Sequence, residues 1–181
     1  MLPHEAWKVL NEADLVCDAR SVHAAIERLG REISAKLHER NPLVLVVMRG
    51  AILFAGQLLP LLRFPLDLDY VHATRYGDAT SGGVLEWKMH PPESVRGRCV
   101  LVLDDILDAG ETLATIRSRV LAMGAESCFV AVLTEKQTVR EKKAVADFVS
   151  IELPDRYVFG CGLDVSGAWR NLPEIYALKS H

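Results

Sequence analysis

The stretch Val100-Leu-Val-Leu-Asp104-Asp105-Ile-Leu-Asp108-Ala-Gly110-Glu-Thr112-Leu113 decides how this chain is read. It opens as an apolar run, the mark of a strand buried on both faces, and such strands belong to parallel sheets. Two carboxylates close the run. A short Gly/Thr turn then opens a helix with apolar residues at Leu113, Ile116, Val120 and Met123, stopped by Gly124. Ligands of open α/β sheets bind outside the carboxyl ends of the strands. A helix start adds unpaired N–H groups and partial positive charge, which suit a phosphate. Gly110 lets the backbone approach closely, and Thr112 supplies a hydroxyl donor. Asp104 and Asp105 would repel that anion unless they engage something else, and the vicinal hydroxyls of a ribose, or Mg²⁺, would answer them. The expected ligand is a sugar phosphate. Read without its flanks, the acid pair would equally well be an acidic helix cap.

Working outward, Val22, Ile26, Leu29, Ile33 and Leu37 place a helix from Ser21, its expected N-cap, to about Arg40, where Asn41-Pro42 ends it. Leu43–Met48 is a second doubly buried strand, and Ala51–Leu62 a buried helix. Leu66–His72 alternates like a strand nearer an edge. The glycine-rich run of residues 75–83 reads as a loop, with Val84–Met89 returning as a strand. Ser127–Leu133 and Phe148–Ile151 add two more strands. Buried strands alternating with helices predict an α/β fold, a central mostly parallel sheet with helices on both faces. The final stretch, about 148–181, is less regular and is expected to form a small cap with the N-terminal residues.

At 181 residues the chain is expected to be one domain, since domains run to about 150 residues. Half the residues are hydrophobic and 25% charged, the balance of a folded enzyme and not of a disordered tail. A net charge of -3, from 21 basic and 24 acidic residues, gives no electrostatic reason for nucleic-acid binding. No apolar run approaches the roughly 20 residues of a membrane span, and the N-terminus lacks the pattern of a secretion signal. Cys17, Cys99, Cys128 and Cys161 are scattered, without zinc spacing. A cytoplasmic protein without membrane partners is expected.

The acid-turn segment resembles the phosphoribosyl-pyrophosphate motif of type I phosphoribosyltransferases. A second block comprises Lys136, the run Glu152-Leu-Pro-Asp155-Arg-Tyr157-Val158-Phe-Gly160, Leu163-Asp164 and Trp169-Arg170-Asn171-Leu172. It is similar to the closing region of hypoxanthine-guanine phosphoribosyltransferases. The resemblance spans nearly the whole chain and implies the type I phosphoribosyltransferase fold with a hood.

By that resemblance, Asp104 and Asp105 would hold the ribose hydroxyls. The turn Asp108-Ala109-Gly110-Glu111-Thr112 would cradle the 5′-phosphate, with Asp108 as the catalytic acceptor of the purine N7 proton. Lys136 would donate to the 6-oxo group, Tyr157 would stack on the base, and the Val158 backbone would meet its other edge. Arg49, Gly50 and Arg170 would contact pyrophosphate. Asp164, with Asp104 and Asp105, would serve Mg²⁺. Arg75 and Tyr76 would belong to a flap that closes over the site. The implied reaction joins hypoxanthine or guanine to 5-phosphoribosyl 1-pyrophosphate, with IMP or GMP and pyrophosphate as products, in a homodimer or homotetramer.

Taken singly, Lys136 would read as a solvated lysine and Tyr157 as core, while for Arg49 and Arg170 a surface ion pair is the alternative to the favoured pyrophosphate contact. The charged run Arg140-Glu141-Lys142-Lys143 reads as a solvated face. The chain departs from the family at Ala109, where many relatives carry a hydroxyl residue, and at Arg75, where many carry serine. The rival readings are a phosphoribosyltransferase for another base, such as xanthine, and an RNA-binding regulator of the same fold, which would want a basic face. A P-loop kinase would need G-x-x-x-x-G-K-[ST], which is absent from the sequence.

Overall fold

The structure, a computed structural model, describes residues 1–75 and 85–179. In chain order its elements are α1 (Pro3–Glu12), β1 (Asp14–Cys17), α2 (Ala19–Leu37), β2 (Leu43–Met48), α3 (Ile52–Leu58), β3 (Asp67–Arg75), β4 (Leu85–Met89), β5 (Cys99–Leu107), α4 (Glu111–Ala122), β6 (Ser127–Gln137), β7 (Phe148–Pro154), β8 (Val158–Phe159) and β9 (Ile175–Ala177).

Six strands form the central sheet in the order β4-β3-β2-β5-β6-β7, parallel except for the edge strand β4. Val44 and Val46 of β2, Leu101 and Leu103 of β5, and Ala131 and Leu133 of β6 share one core with the apolar stripe of α2 and with Phe54 and Leu58 of α3. The alternate residues, including Leu45, Val47, Val100, Val102, Val130 and Val132, form a second core with Leu113, Ile116 and Val120 of α4. Successive strand side chains point to opposite faces, so an unbroken apolar run covers both. A one-residue slip would exchange the two sets and unmake both cores, which fixes the register. The predicted α/β class and mostly parallel sheet are those observed.

Several expected boundaries move. Asp18, not Ser21, caps α2: its carboxylate accepts the Ser21 N–H at 2.7 Å, and Ser21 is the third helical residue. The helix stops at Leu37, and the chain turns through Asn41 at φ 41°. Ala51–Leu62 is α3 followed by a single 3₁₀ turn, Leu59–Leu61, because Pro60 has no N–H to continue the α ladder. β5 does not end at the acids. It runs through Asp104 and Asp105 to Leu107, because β6 alongside offers backbone partners as far as Glu135 whatever the side chains are. The in–out order of β5 reverses across the acids, with Ile106 joining Leu101 and Leu103, and Leu107 joining Val100 and Val102. Phe148–Pro154 lies in the central sheet, so the less regular C-terminal stretch begins after Pro154 and not at 148.

A second, antiparallel sheet is ordered β1-β9-β8, joining the N-terminal strand to the last two. Arg156 ties it together, its Nη2 meeting the Asp14 carboxylate at 2.6 Å and the Leu178 carbonyl at 2.8 Å. Trp169 donates its indole N–H to the Ala6 carbonyl at 2.9 Å and stands edge-on to Trp7, which fastens α1 to the same unit. Among the described residues no helix is long and apolar enough to cross a membrane.

From β2 the sheet grows both ways, to β3 on one side and to β5, β6 and β7 on the other. The crevice between the carboxyl ends of β2 and β5 is therefore the switch point where α/β sheets bind ligands. Arg49-Gly50 leaves β2 there, and Asp105 to Gly110 closes β5 there.

Candidate active site

Gly50 is buried against Asp105. A Cβ at residue 50 would lie 1.8 Å from Asp105 Oδ2 and 2.4 Å from its Cγ, so only glycine lets the turn after β2 pass the acid. From the other side, a Cβ on Gly162 (φ 100°) would lie 2.1 Å from the Gly50 carbonyl oxygen. The turn is thus clamped between the central sheet and the segment after β8. That segment is held in turn by Gly162 and Arg170. The Gly162 N–H donates to the Arg170 carbonyl at 2.8 Å, and Arg170 Nη1 donates to the Gly162 carbonyl at 2.6 Å. The same guanidinium pairs with Asp164 Oδ1 and stands 3.9 Å from Asp105 Oδ2. Asp164 also accepts the Gly167 N–H at 2.6 Å, and its carbonyl accepts the Tyr157 hydroxyl at 3.2 Å.

Asp104 is buried, and its Oδ1 accepts the Asp105 N–H at 3.0 Å. Burial pushes both carboxyls above the ordinary aspartate range. Asp104 is raised most, by desolvation and then by its neighbour's charge, while for Asp105 the hydrogen bond from Asp104 and then the Arg170 charge oppose the desolvation. Two adjacent, poorly solvated acids, of which Asp105 alone stands near the Arg170 guanidinium, have unmet demand for hydroxyl donors or cations.

A second cluster forms where β5 gives way to α4. Gly110 is the helix N-cap in the left-handed conformation, φ 77°, and a Cβ there would strike the Ala144 backbone nitrogen at 2.8 Å. Asp108 and Ala109 are exposed, and Thr112 lies in the first turn of α4. Lys136 reaches across from β6, its Nζ 2.9 Å from Asp108 Oδ2, with the lysine side chain only 13% exposed against 53% for the acid. A half-buried donor and an open acceptor therefore sit side by side at the strand ends.

The structure thus brings Gly50, Asp105, Asp164, Tyr157 and Arg170 into one chain of contacts, and Asp108 and Lys136 into another, joined by β5. Val158 is buried and paired with Ala177 between β8 and β9, while Tyr157 beside it is exposed. Arg49 is exposed at the turn after β2. Arg75 closes β3, paired with Leu85. Tyr76 and the loop expected as a flap lie outside the described residues. Among the described residues no group of three or more His, Cys, Asp or Glu side chains converges as a metal site.

Comparison with known proteins decides the lineage. The family model of the phosphoribosyl transferase domain matches residues 18–166. The chain is 32% identical over 180 residues to the hypoxanthine-guanine phosphoribosyltransferase of Bacillus subtilis (strain 168), covering 99% of this chain and 97% of that one. It belongs to the hypoxanthine-guanine phosphoribosyltransferase family. The corresponding protein of Streptococcus pneumoniae (strain ATCC BAA-255 / R6) is 30% identical with the same coverage. A crystal structure of a hypoxanthine phosphoribosyltransferase from Staphylococcus aureus superposes with a TM-score of 0.86 at 27% identity, over 93% of each chain. A hypoxanthine-guanine-xanthine phosphoribosyltransferase structure gives 0.78 at 26% identity, over 94% of this chain and 97% of that one. The chain is a phosphoribosyltransferase enzyme of purine salvage, with the type I fold.

The two clusters just described hold the residues that the sequence resemblance marked for pyrophosphate and phosphate. Sequence reasoning missed Gly162, whose role as a spacer against Gly50 leaves no local pattern. It also misread part of the run 140–143. Lys142 pairs with Glu135 at 2.5 Å and is only 16% exposed, and Lys143 pairs with Glu111 at 2.8 Å. Glu111, an acid in the first turn of α4, was the available signal that a cation would lie nearby.

Proposed function

We propose that the enzyme transfers the 5-phosphoribosyl group of 5-phosphoribosyl 1-pyrophosphate to hypoxanthine or guanine in a Mg²⁺-dependent reaction, releasing IMP or GMP and pyrophosphate. The observation that carries this reading is the Lys136–Asp108 pair at the carboxyl ends of β5 and β6. A 6-oxopurine presents its O6 acceptor beside its N7–H donor. A lysine and a carboxylate placed together are the complement of that edge.

In the reaction, purine N9 forms a bond to C1′ of the ribose as the bond from C1′ to the pyrophosphate oxygen breaks, and the N7 proton passes to Asp108. That transfer makes the base a better nucleophile. The turn from Asp108 to Thr112 binds the 5′-phosphate through helix N–H groups, and Ala109 supplies no hydroxyl to it. Tyr157 offers an open ring face for stacking. Arg170 and Arg49 neutralise charge on the departing pyrophosphate. Asp104 and Asp105 accept from the ribose hydroxyls.

The donor set fits Mg²⁺, a hard ion that takes one or two carboxylates and completes its shell with water and phosphate oxygens. Asp105 and Asp164, which share Arg170, would hold it, with Asp104 behind them. When bound it would offset the pyrophosphate charge. Action in the cytoplasm as a homodimer or homotetramer belongs to the same reading.

The test is a base panel with the activated sugar and Mg²⁺, following pyrophosphate release. Hypoxanthine and guanine turn over, and xanthine is included because one solved relative is named for it. Adenine sets its 6-amino donor against the Lys136 donor. A buried donor left unpaired costs about 1–3 kcal/mol, more when charged, so adenine is slower by roughly 10- to 100-fold or more. Adenine turnover comparable to hypoxanthine overturns the reading.

A further inference from the structure

The phosphate turn has an acid built into it. Glu111 is the first residue of α4, and its side chain is only 22% exposed. A carboxylate there draws on the same helix-end potential that a phosphate needs, and it repels a dianion. A compensating cation comes from a segment far along the chain. Between β6 and β7 the irregular strap 138–147 folds back over the turn. The Lys143 N–H donates to the Ala109 carbonyl at 2.9 Å, and Ala144 packs where a Gly110 side chain would be.

The strap is fixed at both ends. Lys142 pairs with Glu135 on one side of Lys143. On the other, Asp147 accepts the Val130 N–H at 2.9 Å and faces Arg117 at 3.7 Å. With its backbone held on the turn itself, Lys143 sets its ammonium 2.8 Å from Glu111 Oε1, while its own side chain stays 67% exposed.

We propose that Lys143 is a positioning residue for the phosphate turn, neutralising Glu111 so that a 5′-phosphate can bind beside it. This rests on the phosphate-turn reading above and deepens it: the turn's affinity for the sugar phosphate is set by a cation supplied from the strap. Lys143 acts through Glu111 and not on the base. The effect is electrostatic, so it weakens with added salt.

The experiment measures KM for the activated sugar, KM for hypoxanthine and kcat in wild type, Lys143→Met, Lys143→Arg, Glu111→Gln and the Lys143→Met/Glu111→Gln double variant. Equilibrium binding of IMP is measured alongside, with inosine as the control that lacks a phosphate. Lys143→Met raises the sugar KM about three- to tenfold, by more than it lowers kcat, and weakens IMP to a similar extent while leaving inosine alone. Lys143→Arg restores the wild-type value. In the Glu111→Gln background the same lysine change moves the sugar KM less than twofold.

An active wild type whose Lys143→Met variant has the same sugar KM overturns this inference and leaves the functional reading standing. So does an equal loss in both Glu111 backgrounds, which would mean the lysine does not act through the acid. A wild type that neither releases pyrophosphate nor binds IMP overturns the functional reading and this inference together.

Discussion

Replacing Gly50 by alanine tests the geometry at the switch point without reference to any ligand. The added methyl would sit 1.8 Å from Asp105 Oδ2, 2.4 Å from Cγ and 2.9 Å from Oδ1, so its three nearest neighbours all belong to one carboxyl group. That carboxyl cannot simply swing away, since Arg170 stands beside it and Gly162 blocks the turn's retreat on the opposite side. Overpacking of this kind costs about 1–3 kcal/mol. At roughly 2–4 °C per kcal/mol for a chain of this size, Gly50→Ala lowers Tm by about 2–12 °C. The same reasoning predicts a rescue. Asp105→Ala removes all three contacts, so in that background Gly50→Ala costs under about 0.5 kcal/mol, the level at which independent changes add. Thermal or urea unfolding of the two single variants and the double variant closes the cycle. Equal destabilisation by Gly50→Ala with and without the Asp105 carboxyl would show that the turn and the acid do not touch as described.

Two further perturbations separate chemistry from stability. Asp108→Asn keeps the size and an acceptor oxygen but not a proton acceptor, so kcat falls by about 100-fold or more while IMP affinity changes far less. Equal loss of both, by stopped turnover and IMP titration, would remove Asp108 from proton transfer. Asp104→Asn raises Tm at neutral pH by about 2 °C or more, because a desolvated carboxylate is removed and its acceptor oxygen for the Asp105 N–H is kept. The sign in pH follows from a folded-state carboxyl raised above its unfolded value. The native state holds the extra proton, so wild-type stability declines as pH rises from the ordinary aspartate range through the raised one. The advantage of Asp104→Asn therefore shrinks on acidification. Melting curves across acid to neutral pH check it, and an advantage that grows towards acid refutes it.

The central sheet was legible because apolar runs such as Leu43–Met48 and Val100–Leu103 must be buried on both faces, which leaves a parallel sheet as the natural host. Less legible were features settled by a neighbour distant in sequence. β5 continues through two acids because β6 runs beside it, and no local property of Asp104-Asp105 records that. The sequence marks Phe148–Ile151 as a strand, while its continuation to Pro154 is set by pairing with β6. Asp18 took the capping role from Ser21 for a local reason that the spacing contained: the cap's partner is the third helical N–H, and that N–H belongs to Ser21.

At the site, the readable residues were those whose chemistry is unusual for their position, such as paired acids at a strand end or a lysine following a buried strand. Gly162 and Lys143 were hidden for opposite reasons. Gly162 acts by lacking a side chain, and its constraint is visible only once the Gly50 carbonyl lies 2.1 Å from where a Cβ would be. Lys143 is one cation in a run of four charged residues, and exposure alone would class it as solvated. What marks it out is an anomaly elsewhere, since an acid in the first turn of α4 opposes the phosphate binding proposed for that helix end. A local conflict of that kind persists in a fold only where something distant offsets it. One offset here is the strap's backbone bond to Ala109, which delivers the Lys143 charge to the Glu111 carboxylate.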